Sequence, residues 1–188
     1  VKMSGYQRTD DYQKIDFPWV LPSPNIPTKS STYTYLATCY FEGTNVSEGR
    51  GTTKPFSFVG APWLKSNEVI AKLNRANLEG VKFRKLYFTP TFSKHKDELC
   101  EGIEVVVTNY KTFKPVKTGF TMLHYISNMH EEFKFLPPYK EGMNPMIDLL
   151  NGDDFMRTKR LSLEEIYQKL DKDSKAFKEM KGKYHLYD

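Results

Sequence analysis

Strand-type and helix-type segments alternate along this 188-residue chain, and that alternation limits the fold more tightly than any single motif. Tyr33 to Phe41, rich in Tyr, Thr and Leu, reads as a strand. Residues 56–60 read as a short one, Val81 to Thr89 as a third, and 102–108, around Ile103-Glu104-Val105-Val106-Val107, as a fourth. Between them, Ser66 is placed to cap a helix over 67–77 with Val69, Ile70, Leu73 and Ala76 on one face and Gly80 beyond its end. Pro115 suits a first helical turn. The helix from there to about His130 would turn Val116, Phe120, Leu123 and Ile126 or Ser127 to one side. Residues 144–151 form a shorter helical pattern. The last helix has the fullest signature: Ser162 caps it, Glu165 completes a capping box, and Leu163, Ile166, Tyr167, Leu170 and Phe177 follow helical spacing. Such alternation predicts an α/β (α+β-like) fold, a single domain with a mixed β-sheet flanked by helices. The length suits one such domain, and no second hydrophobic core is evident.

Punctuation sets the ends. Residues 17–28, Phe-Pro-Trp-Val-Leu-Pro-Ser-Pro-Asn-Ile-Pro-Thr, carry four prolines, each fixing φ and removing a donor. Residues 1–32 therefore read as an extended, Pro-rich lead-in segment, and Pro137-Pro138 breaks the chain again. The opening, Val1-Lys2-Met3-Ser4-Gly5-Tyr6, carries no export feature and reads as the start of a processed or excised piece. No run of 18 apolar residues exists, so no transmembrane helix is expected. Cys39 and Cys100 are compatible with two buried thiols or one disulfide.

Several function classes lack their signatures. The net charge is +5, but Lys and Arg are interleaved with acids, as in Lys169-Leu170-Asp171-Lys172-Asp173-Ser174-Lys175, which describes a solvated face and not a nucleic-acid groove. His95, His124, His130 and His185 form no zinc spacing, and neither metal nor cofactor is expected. Five residues separate Gly43 from Gly49, and Arg50-Gly51 stands where a phosphate loop needs Lys-Ser. No serine-hydrolase elbow is present.

One polar stretch survives. Residues 41–53, Phe-Glu-Gly-Thr-Asn-Val-Ser-Glu-Gly-Arg-Gly-Thr-Thr, hold Glu42, Glu48, Arg50, Asn45 and four hydroxyls. A hairpin turn needs only a few residues. Gly43, Gly49 and Gly51 admit close backbone approach, and Arg50 can fork onto a carboxylate. These residues fit a site for a polar, carboxylate-bearing ligand. They fit equally a self-satisfied loop in which Glu48 pairs with Arg50 while Thr52 and Thr53 bond the backbone. Paired carboxylates also suit glycoside hydrolysis when placed on either side of the bond. The aromatic share, 14%, serves cores and also stacks on sugar rings.

At these residues the chain resembles a known family. The stretch 22–28, Pro-Ser-Pro-Asn-Ile-Pro-Thr, the stretch 41–53, Pro55-Phe56, Gly60-Ala61-Pro62-Trp63, Phe88-Thr89-Pro90-Thr91-Phe92-Ser93-Lys94 and Lys183-Tyr184-His185-Leu186-Tyr187 are similar to the signature of bacterial exo-β-N-acetylmuramidases, formerly a domain of unknown function. The resemblance covers nearly the whole chain and implies its C-terminal half. Family proteins are about twice this length, with a Rossmann-like N-terminal domain and an active cleft between the halves. It implies a hydrolase of cell-wall recycling that releases N-acetylmuramic acid from non-reducing ends of peptidoglycan fragments, with this half inactive alone. Glu42 and Glu48 are the catalytic candidates. Arg50 suits the lactyl carboxylate of muramic acid, and Asn25, Asn45, Thr52, Thr53 and Ser93 suit sugar hydroxyls or the acetamido group. The implied partners are peptidoglycan-derived sugars and the N-terminal domain, and the implied location is periplasmic or extracellular. The alternative is a non-catalytic glycan-binding or structural lobe.

Overall fold

A computed structural model describes residues 2–10, 12, 14 and 17–187. Its elements run α1 (Lys29–Thr38), a 3-10 turn (Cys39–Gly43), β1 (Phe58–Ala61), α2 (Ser66–Arg75), β2 (Val81–Phe88), β3 (Cys100–Val107), α3 (Pro115–Met129), α4 (Met146–Asn151), α5 (Phe155–Thr158), α6 (Leu163–Lys181) and a second 3-10 turn (Gly182–Tyr184). The expected single α/β domain is present. Its sheet is antiparallel, in the order β1-β3-β2, with β3 central. Gly60 and Gly102 face each other across β1 and β3, and the Phe88 ring fills the space a Cβ would need at either. The core gathers Phe41, Ile103, Met122, Leu123, Ile147 and Ile166 between sheet and helices.

The largest departure from the sequence-based expectation is Tyr33–Phe41, which is helical, not extended. Thr28 starts α1: its Oγ1 accepts from the Ser31 N–H at 3.2 Å. β-branched and aromatic residues favour strands, but here the hydroxyls bond back onto helix carbonyls, Thr32 to Lys29 at 2.6 Å and Thr38 to Thr34 at 3.0 Å. Packing completes the override. A Cβ at Gly119 of α3 would overlap the Ala37 carbonyl, so this glycine lets the two helices cross closely.

Ser66 is not the cap of α2 but its first residue. Its N–H and hydroxyl donate to Glu101 Oε1 at 2.8 and 2.6 Å, so a carboxylate on β3 satisfies the helix end. The left-handed residue just past this helix is Asn77, and Gly80, also left-handed, turns the chain into β2. Within α3 the buried face runs through Thr118, Phe120, Met122, Leu123 and Ile126, while Val116 is exposed. The capping box of α6 is complete, and the four-residue helix α5 had no sequence signal. Both cysteines are free thiols, and burial pushes each up to about 11. Among the described residues no helix is long and apolar enough to cross a membrane.

Candidate functional site

The polar stretch folds onto itself and onto the loop after β2. The 3-10 turn at Cys39–Gly43 carries Glu42, and an isolated bridge from Ser47 to Gly60 ties the middle of the stretch to β1. Gly49 and Gly51 hold φ near +80°, so the chain reverses around Arg50. Side chains finish the turns: Ser47 Oγ accepts from Gly49 N–H at 3.1 Å, and the Thr52 hydroxyl donates to the Gly49 carbonyl at 2.6 Å.

Four charges meet at its centre. Arg50 Nε lies 3.0 Å from Glu48 Oε1 and its Nη2 lies 3.0 Å from Glu42 Oε2, with the guanidinium over the Phe56 ring at 4.9 Å. Lys94, from the loop after β2, reaches the other Glu48 oxygen at 2.9 Å and donates to the carbonyls of Phe41 at 2.6 Å and Val46 at 3.1 Å. Burial pushes the Lys94 ammonium below its ordinary range, against the opposing pull of Glu48 and Glu42. The two carboxylates balance the two cations. The Glu48 side chain is only 3% exposed, whereas that of Arg50 is 27% exposed. Both Glu48 oxygens are thus taken by cations, and Glu42 is the carboxylate that solvent can reach.

The remaining sequence-derived residues divide. Thr52 and Thr53 come directly after Arg50 and Gly51. Ser93 is exposed, in a left-handed conformation, on a loop fastened to Gly51 by the Thr91 N–H and hydroxyl at 2.9 and 3.0 Å. Asn45 is a strut: its amide nitrogen donates to the Glu132 carbonyl and its oxygen accepts from Lys134 N–H, both at 2.8 Å. His95 Nε2 lies 2.7 Å from the Asn45 carbonyl, which it can meet only as a donor. Asn25 is half-buried, its N–H donating to Ser23 Oγ at 3.3 Å. Trp19 fixes the proline-rich loop through Nε1 to the Ile26 carbonyl, and Trp63 packs on the core beside His130.

Sequence reasoning missed Lys94 as a site residue, because it reaches Glu48 from 46 residues away with no local signal. It also missed Glu104, buried on β3 and ion-paired to Lys54 at 2.7 Å and to Arg84. Burial alone would raise Glu104, but hydrogen bonds from those two bring it below the usual carboxylate range. A cleft of about 340 Å³ opens there, lined by Thr28, Ser30, Thr34, Thr53, Ser57 and Glu104. A larger groove of about 750 Å³ runs between α6 and the N-terminal end of α3, and its lining has no part in the charge cluster: it mixes Lys117, Lys178, Asp171 and Tyr167. Among the described residues no group of three His, Cys, Asp or Glu side chains is placed to hold a metal ion.

The sequence profile of the family described as exo-beta-N-acetylmuramidase NamZ, C-terminal, matches residues 33–187. The chain is 44% identical over 191 residues to peptidoglycan beta-N-acetylmuramidase NamZ of Bacillus subtilis (strain 168), a match covering all of this chain and 45% of that protein. Two solved DUF1343 family proteins from Bacteroides fragilis NCTC 9343 share its structure. One has a TM-score of 0.85 at 25% identity, over all of this chain and 50% of that one. The other has a TM-score of 0.56 at 28% identity, over 89% and 43%. The chain thus spans about half the length of the relatives it matches.

Proposed function

The chain belongs to the exo-β-N-acetylmuramidase NamZ C-terminal family, and on that premise we propose that it is the C-terminal half of a longer glycoside hydrolase, forming one wall of the active cleft. The substrate is a peptidoglycan fragment, from whose non-reducing end N-acetylmuramic acid is released. Peptidoglycan lies outside the cell membrane, so the protein works in the periplasm or extracellularly.

The observation that carries this reading is the held guanidinium of Arg50. Glu42, Glu48 and the Phe56 ring fix it in place while part of it stays open to solvent. A guanidinium held before the ligand arrives loses little entropy on binding, and its free N–H groups suit the lactyl carboxylate that distinguishes muramic acid from N-acetylglucosamine. Thr53 and Ser93 offer hydroxyls on the adjoining loops, while the Thr52 hydroxyl is spent on the turn that holds Arg50, and the cleft at Glu104 offers more for the rest of the glycan.

Hydrolysis needs one carboxyl group to protonate the glycosidic oxygen and another to act on the opposite face of the sugar. Glu42 is the member of the local pair that a substrate can reach. Glu48, buried between two cations, positions Arg50 and Lys94. The second working carboxyl group then comes from the N-terminal half.

In the full-length protein, Arg50→Met is expected to raise KM for a chromogenic β-N-acetylmuramide about tenfold or more, the loss of one charge-assisted contact. It should leave hydrolysis of the matching N-acetylglucosaminide at its low starting level. An unchanged KM for the muramide would remove Arg50 from the site. Glu42→Gln with undiminished turnover would favour the alternative, a lobe that holds glycan without contributing to bond cleavage.

A further inference from the structure

The apolar stripe of α6 is only half used. It starts at Leu163 and runs through Ile166, Tyr167 and Leu170, where Ile166 is buried and Leu170 packs on the core. Past Asp173 and Ser174, which interrupt it for one turn, the same side of the helix carries Phe177 and Met180, and Tyr184 and Leu186 follow in the 3-10 turn and the tail. These four are all more than half exposed, and every residue from 171 to 180 is exposed. The polar side of this half, with Ser174, Lys175 and Lys178, lines the groove that faces residues 77–79 and 114–117, and its apolar residues are left bare. The cations over its rings come from its own segment, Lys181 at 5.8 Å from Phe177 and Lys183 at 5.0 Å from Tyr184. Among the described residues the apolar side of α6 is thus buried at one end and bare at the other, the pattern of a surface open to a partner.

The first residues of the chain meet the same end of the molecule. The Met3 N–H donates to the Tyr187 hydroxyl at 2.6 Å, and the Tyr6 and Tyr187 rings meet edge to face at 5.0 Å. Met3 is itself exposed, extending the patch. The matched family region is C-terminal, and the Bacillus subtilis relative carries more than half of its length outside the match. A polypeptide preceding Met3 therefore emerges beside Tyr187, within reach of Tyr184 and Leu186.

We infer that the second half of α6 and the tail to Tyr187 are the docking surface for the N-terminal domain of the full-length protein. The docked domain covers Phe177, Met180, Tyr184 and Leu186 with an apolar face. Lys178, Lys181 and Lys183 at the margin select a rim of carboxylates on it. The interface is separate from the Arg50 cluster and holds whether or not that cluster binds sugar.

The test places a photo-crosslinking amino acid at position 184 in the full-length protein, a substitution at an exposed side chain that leaves the core untouched. The expected result is an intramolecular crosslink, located by mass spectrometry between residue 184 and the N-terminal domain, at unchanged monomer mass. In parallel, Phe177→Asp with Met180→Asp should speed protease cleavage between the domains at least about tenfold, while Lys172→Asp outside the stripe should not. A crosslink that doubles the mass would assign the patch to a second copy of the chain and overturn the inference. So would the absence of any crosslink to the N-terminal domain. Neither result depends on sugar hydrolysis, so the fate of the cleft-wall reading is decided separately.

Discussion

Residues 41–53 and residues 171–180 invert the usual expectation about loops and helices. The first stretch has almost no regular structure, yet Phe41, Thr44, Val46, Ser47, Glu48 and Gly49 are buried. The second is unbroken helix, and every residue in it is exposed. A segment is fixed by the number of partners it finds, not by its regularity. In the loop, backbone groups that no ladder satisfies are met by side chains: Thr44 Oγ1 accepts from Val46 N–H at 3.1 Å, and Lys94 serves the carbonyls of Phe41 and Val46. Along residues 171–180, support comes from the helix's own backbone bonds and surface pairs such as Lys169–Asp173 at 3.1 Å. Pairs of that kind are worth a few tenths of a kcal/mol (about 0.3–0.5).

The largest loss is expected from Glu48→Ala. It leaves Arg50 with Glu42 alone and Lys94 as a buried ammonium among carbonyls. Stripping one partner from a buried ion pair costs about 3 kcal/mol or more. Urea denaturation of the 188-residue chain should show that loss, together with faster proteolysis in the 41–53 and 90–97 loops. A change below about 1 kcal/mol would mean that the loop is held by its backbone turns and not by the charge cluster.

That cluster also marks where inference from sequence ends. Glu42, Glu48 and Arg50 lie within nine positions, so their meeting could be read from spacing. Lys94 joins them from 46 residues away, and no local pattern announces it. The same division runs through the fold. The capping box at Ser162 and Glu165 is local and was legible. The carboxylate that satisfies the start of α2 belongs to Glu101, 35 residues on from Ser66, and it was not. Tyr33–Thr38 misled for a related reason. Its β-branched and aromatic composition speaks for a strand, while the features that make it a helix are the Thr28 cap and a glycine on α3 that admits its backbone.

Acid acts at intermediate strength, through the β3 carboxylate that fastens the start of α2 to the sheet. Burial acts to raise Glu101, but hydrogen bonds from Ser66, Lys85 and Tyr87 outweigh it and bring the group to about 2, against an ordinary 4.5. The folded value is the lower one, so the unfolded chain takes up the proton first as pH falls. The contribution is full above 4.5 and lost by about 2. With part of the side chain in solvent, it amounts to about 2 kcal/mol. Urea midpoints measured across that window should fall with pH, and Glu101→Gln should flatten the slope. An equally steep decline in the variant would assign acid sensitivity to other carboxylates.

The smallest effect is the most discriminating, because it changes with the length of the protein. In the 188-residue chain, Phe177→Ala removes a ring that is mostly in water, and alanine is the better helix former. The two contributions nearly cancel, so stability should stay within about 0.5 kcal/mol. In the full-length protein the same ring is expected to sit under the N-terminal domain. Its removal should then cost about 2 kcal/mol or more, as for an aromatic anchor at the centre of an interface. Equal, small effects in both lengths would leave the apolar side of the second half of α6 bare in the whole protein as well. A large effect in the short chain would mean that Phe177 already has a partner within these residues, and the contrast between a well-partnered loop and a poorly partnered helix would fail at its helical end.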